Sequence, residues 1–161
     1  MIAALLLGRK GSKGFPGKNT KNVLGHALAY YPMRAALECP QIENVYLSTN
    51  DEHLMVLAQE NDVEVIVRPQ ELCTDKALGE HAFVHGYKEI KKRNPTKNIE
   101  LMVLLFCNSP TIISKAISEG IKILRENPEY DSAVTVSMYN MWSPLRARKI
   151  GTDGLLHPFV P

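Results

Sequence analysis

The chain has 161 residues, 45% of them hydrophobic and 22% charged, with a formal net charge of +2 at pH 7. That is the make-up of one globular domain with a real core. No apolar run is long enough to cross a bilayer, and a pI near 8.4 without a basic helix or an aromatic-and-cation stripe argues against nucleic acid.

Taken in chain order, residues 2–7 (Ile-Ala-Ala-Leu-Leu-Leu) predict a buried strand; no cationic stretch precedes them, so they do not read as a signal peptide. The strand runs straight into a loop holding Gly8, Gly11, Gly14 and Gly17 together with Arg9, Lys10, Lys13 and Lys18. No Asp or Glu precedes Glu38, so the first 37 residues carry +6 and the rest of the chain −4. Glycines let backbone amides turn and approach a ligand, and such amides form a nest for anions. Lysine adds a point charge and arginine a fork for two phosphate oxygens. Pro16 stiffens the loop by fixing its own φ and extending Phe15. A solvated basic turn is the bland alternative; the coincidence of strand, glycines and cations favours a polyphosphate. Neither standard phosphate motif fits. The Walker pattern fails because Ser12 stands at its first glycine and Asn19 at its Ser/Thr, and the dinucleotide pattern fails because Gly8, Gly11 and Gly14 are spaced three apart.

Residues 27–37 predict a first helix, with Leu28, Tyr31 and Ala35 on one side, Leu24 as a further candidate for that side, and Pro32 starting or bending it. Residues 44–49 predict the second strand. Asp51 caps a helix bearing Leu54, Val56, Leu57 and Ala58. Residues 63–67 predict the third strand, and residues 78–92 a helix with Ala82, Phe83, Gly86, Tyr87 and Ile90 at helical spacing. Residues 101–106 are apolar at every position, as in a central parallel strand. Residues 114–125 predict a helix with Ile117, Ile121 and Leu124, ended by Asn127-Pro128, and residues 132–137 a fifth strand. Asp153-Gly154 reads as a hairpin turn. Alternating strands and helices imply an α/β fold: an open, mostly parallel, Rossmann-like sheet with helices on both faces. Ligands then bind at the carboxyl ends of the strands. That rule gathers the 8–19 loop, Ser48-Thr49-Asn50-Asp51, Arg68-Pro69 and Cys107-Asn108-Ser109-Pro110 around one cleft.

Cys39, Cys73 and Cys107 have no pairing or zinc spacing and fit reduced thiols in the cytoplasm. His81 and His85 could share a helix face, but no third ligand is evident. Ser48 and Thr49 serve as readily to cap a helix as to touch a ligand. Trp142 reads as a packing anchor, and Tyr30 and Tyr31 as packing on the first helix.

The motif Gly8-Arg-Lys-Gly-Ser-Lys-Gly-Phe-Pro-Gly-Lys-Asn19 resembles the signature of the acylneuraminate and 3-deoxy-octulosonate cytidylyltransferases, of nucleotide-diphospho-sugar transferase type. Val45-Tyr-Leu-Ser-Thr-Asn-Asp51, Arg68-Pro-Gln-Glu-Leu-Cys-Thr-Asp75 and Leu104-Leu-Phe-Cys-Asn-Ser-Pro110 are similar to its next three blocks, in the same order. The resemblance implies that the anomeric hydroxyl of a sugar acid attacks the α-phosphorus of CTP and pyrophosphate leaves. It implies catalytic roles for Arg9, Lys13 and Lys18, with Gly8, Gly11, Ser12, Asn19 and Arg68 also on the nucleotide. It implies Phe106, Asn108 and Arg146 on the sugar acid, Mg2+ as cofactor, and a homodimer of the full-length protein. It gives Asp75 a recurrent acidic position without a role.

Three departures stand out. Phe106 replaces a polar residue of the sialate branch, and Asn108 replaces a metal-binding aspartate of the octulosonate branch. The family's C-terminal strand, helix and acidic metal motif have no counterpart before Pro161. The expectation is therefore one nucleotidyltransferase domain, residues 1–161, lacking its C-terminal part. The alternatives are a catalytically incomplete nucleotide-binding module and a nucleotidyltransferase for another nucleotide or sugar.

Overall fold

The structure is a computed structural model that describes residues 1–136 and 147–159. Its centre is β1 (Ile2–Leu7), in which all six residues are buried. A strand buried on both faces has no use for alternation, which is why its sequence is apolar throughout. After it come two short strands, β2 (Asn22–Val23) and β3 (His26–Ala27), then α1 (Tyr30–Leu37), β4 (Asn44–Thr49), α2 (Glu52–Glu60) and β5 (Glu64–Val67). The chain continues through α3 (Gly79–Arg93), β6 (Leu101–Phe106) and α4 (Ser114–Glu126). β7 (Arg148–Ile150) and β8 (Leu156–Pro158) pair antiparallel as a hairpin, with Gly154 at φ 76°, as Asp153-Gly154 predicted.

The main sheet is parallel, in the order β5-β4-β1-β6. Its faces are covered unequally. Ile2, Ala4 and Leu6 pack with Ala29 and Met33 at α1, Leu54 and Ala58 of α2, and Ile117 and Ile121 of α4. Ala3, Leu5 and Leu7 face the other way, toward Ala82 and Ile90 of α3. Gly86 lets α3 lie directly on Leu5, because a Cβ there would collide with that side chain. Each fully buried leucine is worth about 1.5–3 kcal/mol, so β1 and its two apolar layers hold the sheet together.

Several expectations are corrected. The first helix starts at Tyr30, not residue 27, because residues 22–27 form a tight hairpin with Leu24 (φ 48°) and Gly25 (φ 93°) at its tip. Leu24 is therefore 91% exposed and lies on no helix face. Pro32 fits in the first turn of α1, where its missing N–H costs no intrahelical bond. His26 stacks on Tyr30 at 4.0 Å, and the Tyr31 hydroxyl donates to the Val23 carbonyl at 2.5 Å, so these tyrosines brace the hairpin. Among the described residues β6 pairs with β1 alone, so it borders the described sheet and β1 and β4 lie at its centre. Residues 132–136 form no strand; Val134 and Val136 are 79% and 92% exposed. Alternating valines suit a pleated surface, but a strand exists only where another strand takes up its amides. Ser137 and Trp142 lie outside the described residues.

The predicted cap at Asp51 is present. Its carboxylate accepts from the His53 amide at 3.0 Å, and its own amide donates to Thr49 Oγ1 at 3.0 Å. Asp51→Ala is expected to cost about 0.5–2 kcal/mol, read as a lower denaturant midpoint with unchanged slope.

Candidate functional site

The carboxyl ends of β1, β4, β5 and β6 meet at one edge of the sheet. There Leu7 leads into Gly8, whose amide donates to the Ser48 carbonyl at 3.2 Å; the Cys107 amide donates to the Leu7 carbonyl at 3.1 Å. A Cβ on Gly8 would stand 2.6 Å from Cys107 Sγ and 2.8 Å from Leu54 Cδ1, so only glycine lets the loop leave the strand at this point. Burial pushes the Cys107 thiol up to about 12, so it acts there as an inert apolar group. The loop is tied across the sheet by the Lys10 amide, which donates to Asn50 Oδ1 at 2.9 Å. Gly17, at φ 68°, turns the chain into a short 3-10 helix, Lys18–Thr20.

A cleft of about 240 Å³ opens above these strand ends. Its lining combines a polar and cationic set, Gly8, Arg9, Ser12, Lys18, Asn19 and Arg68, with an apolar set, Leu72, Ala77, Leu78, Ala82 and Phe106, and with Asn108.

Arg68 is the unusual residue. It is only 6% exposed, yet its hydrogen bonds go to neutral partners: Nε to Ser48 Oγ at 3.1 Å and Nη2 to the Ser48 carbonyl at 2.8 Å. No acid pairs with it among the described residues. Burial pulls its pKa below the ordinary arginine value, and the charge of Arg9 adds to that. A buried cation without a counter-ion is costly to keep and is matched by an arriving anion. Asn19 carries a second unmet polar group: it is 8% exposed, and its Oδ1 is buried without a hydrogen-bond partner among the described residues. Such an atom needs a donor.

Arg9 and Lys13 are handled differently from Lys18. Arg9 Nη2 lies 2.8 Å and Lys13 Nζ 2.6 Å from the two oxygens of Asp75, and Arg9 Nη1 donates to the Cys73 carbonyl at 3.2 Å. Hydrogen bonds from Lys13 and Arg9 hold the Asp75 carboxyl below the usual carboxylate range. Lys18 has no acidic partner among the described residues.

Residues 3–151 match the cytidylyltransferase family. The chain belongs to that family. It is 30% identical over 139 residues to the N-acylneuraminate cytidylyltransferase of Escherichia coli O18:K1:H7, covering 86% of this chain and 32% of that protein. It is 27% identical over 135 residues to N-acylneuraminate cytidylyltransferase A of Danio rerio, covering 84% and 30%. The chain thus spans about a third of the length of these curated relatives. In fold it is similar to CMP:2-keto-3-deoxy-manno-octonic acid synthetase complexed with CTP, with a TM-score of 0.64 at 19% identity, over 80% of this chain and 48% of that one. It is also similar to a cytidylyltransferase from Leptospira borgpetersenii, with a TM-score of 0.62 at 20% identity, over 80% and 50%.

Of the residues expected at a cytidylyltransferase site, Gly8, Arg9, Ser12, Lys18, Asn19, Arg68, Phe106 and Asn108 line the cleft together. Gly11 and Lys13 do not line it; Gly11 shapes the loop at φ 79°, and Lys13 is turned to Asp75. Arg146 lies outside the described residues. Ser48 Oγ accepts from Arg68 Nε and Thr49 Oγ1 from the Asp51 amide, so each supports a neighbouring side chain or cap. The sequence reading missed Leu72, Ala77 and Leu78 as apolar lining, whose sole signal was their place between Arg68 and the third helix, and it read Ala82 only as part of that helix's apolar spacing. Among the described residues, no three His, Cys, Asp or Glu side chains converge as a metal site.

Proposed function

We infer that the protein moves the cytidylyl group of CTP to a sialic-acid-like sugar acid, nonulosonic or related, and releases pyrophosphate. A single nucleotidyltransferase domain over residues 1–161 is proposed to carry the nucleotide half of this chemistry. The observation that carries the reading is the convergence of a glycine-and-cation loop and a buried, uncompensated Arg68 on one cleft. The sugar's anomeric hydroxyl oxygen forms a bond to the α-phosphorus and gives up its proton to solvent, while the bond from that phosphorus to the bridging oxygen breaks with its electrons on pyrophosphate. Such a transfer is mostly positioning and charge neutralisation. Arg9, Ser12, Lys13 and Lys18 are assigned to the phosphates, and Arg68 to an anionic or carbonyl oxygen of the nucleotide. Asn19 Oδ1 takes a donor from the ribose or the base, and the apolar wall takes the flat face of cytosine. Phe106 and Asn108 are assigned to the acceptor.

Mg2+ would supply further charge neutralisation on the triphosphate. The described residues do not fit a site for it: Asp51 caps α2 and Asp75 is paired to two cations, so no step is routed through a metal here. A homodimer of the full-length protein is proposed on the family resemblance, and a cytoplasmic location on the thiols. The three free cysteines suit a reducing compartment, and no helix among the described residues is long and apolar enough to cross a membrane.

The test is pyrophosphate release by the protein with CTP, magnesium and a panel of nonulosonic and octulosonic acids. Release with one acceptor class supports the reading. CTP binding without release from any acceptor replaces it with a nucleotide-binding module. Lys13→Ala is expected to lower kcat about 10- to 100-fold with little change in melting temperature, because Lys13 is 85% exposed and packs against no core. A kcat near wild type would remove Lys13 from the machinery.

A further inference from the structure

The loop that carries Asp75 also carries part of the cleft's apolar wall. Residues 74–78 connect a 3-10 turn, Gln70–Cys73, to α3, and Ala77, Leu78 and Gly79, the first residue of α3, line the cleft. Asp75 faces the opposite loop, where one carboxylate spans two cations: Oδ1 on Arg9 and Oδ2 on Lys13. The geometry has a cost for any phosphate that arrives. Lys13 is pulled out of the lining of the cleft, and Arg9, which lines it, already has its Nη2 committed. A polyphosphate presents the same kind of oxygen as a carboxylate, at higher charge density, so it competes for these same donors.

We propose that Asp75 is a placeholder for the polyphosphate, a carboxylate latch that holds Arg9 and Lys13 in the empty site and is exchanged for phosphate oxygens when the nucleotide enters. The latch joins the phosphate loop to the 74–78 loop. Exchange therefore releases the segment bearing Ala77 and Leu78 at the moment phosphate is captured, and the apolar wall responds to phosphate occupancy. Asp75 is a positioning residue in this scheme: it touches the cations and not the reacting atoms. The scheme rests on the phosphate reading of the loop given above.

Removing a competing charge should strengthen anion binding. The test is calorimetric titration of wild type, Asp75→Asn, Asp75→Ser and Glu71→Gln with sodium tripolyphosphate, without metal, across a range of salt concentrations. Asp75→Asn and Asp75→Ser are expected to bind about 3- to 20-fold tighter than wild type, as two partly exposed ion pairs would give. Their affinity should also fall more steeply with salt, because phosphate then displaces chloride from Arg9 and Lys13 rather than a tethered carboxylate. Glu71→Gln removes the same charge nearby without touching either cation and should shift affinity less than twofold. A general charge effect or a loosened loop would not separate the variants in this way. If wild type binds tripolyphosphate and the Asp75 variants bind no tighter, the latch is wrong and the phosphate loop stands. If no variant and no wild type binds it, the phosphate reading falls and the latch with it.

Discussion

Arg68→Met is expected to lower CTP affinity about 100-fold while leaving the protein at least as stable as wild type. The two effects have one cause. Arg68 is 6% exposed and, among the described residues, its guanidinium is held by Ser48 alone with no acid to offset its charge. Exchanging such a group for an apolar side chain of similar length is often neutral or stabilising by about 1–4 kcal/mol, because the desolvation penalty disappears. Little is orphaned: the Ser48 carbonyl keeps its bond from the Gly8 amide, and Ser48 Oγ is a rotatable hydroxyl. The ligand loses a charge-assisted hydrogen bond made in a buried setting, where truncating one partner costs about 2–5 kcal/mol. CTP titration and thermal melting of the unliganded protein read the two arms. A variant that melts lower and still binds CTP normally would make Arg68 a structural residue and remove the main support for the nucleotide site.

Gly8→Ala is expected to cost about 1–3 kcal/mol and to weaken CTP binding at least tenfold, although it adds only one methyl group. The added Cβ would stand 2.6 Å from Cys107 Sγ, 3.1 Å from Cys107 Cβ and 2.8 Å from Leu54 Cδ1. Both neighbours are completely buried, so neither can swing away, and overpacking of this kind forces backbone movement. The backbone that moves is the start of the phosphate loop. Cys107→Gly should make room, so the double variant is expected to regain part of both losses. Denaturant titration and CTP titration of the four proteins form a cycle, with an expected coupling of about 1 kcal/mol or more. Strict additivity would show that the close approach of β1 to β6 does not shape the loop.

How much of this was legible beforehand depended on how local the signal was. The helices α3 and α4 announced themselves through apolar spacing and lie within one residue of the bounds it gave, and α2 begins directly after the Asp51 cap. The hairpin at residues 22–27 was not legible, because Leu24 at φ 48° is held by the turn and by Tyr31 and not by its own propensity. Residues 132–136 carry a strand's composition without a strand's partner.

The sequence by itself determined the parallel α/β fold and the character of the first loop. An unbroken apolar run, glycines every three residues and six cations before the first acid can be read without coordinates, since each is a property of neighbours along the chain. Only the tertiary structure decided what the other blocks do. It put Ser48 beneath Arg68, left Asn19 Oδ1 without a donor and closed Asp75 onto Arg9 and Lys13. Those relations join residues 20 to 66 positions apart, and the burial that turns an ordinary arginine into an uncompensated charge exists only once the sheet has assembled.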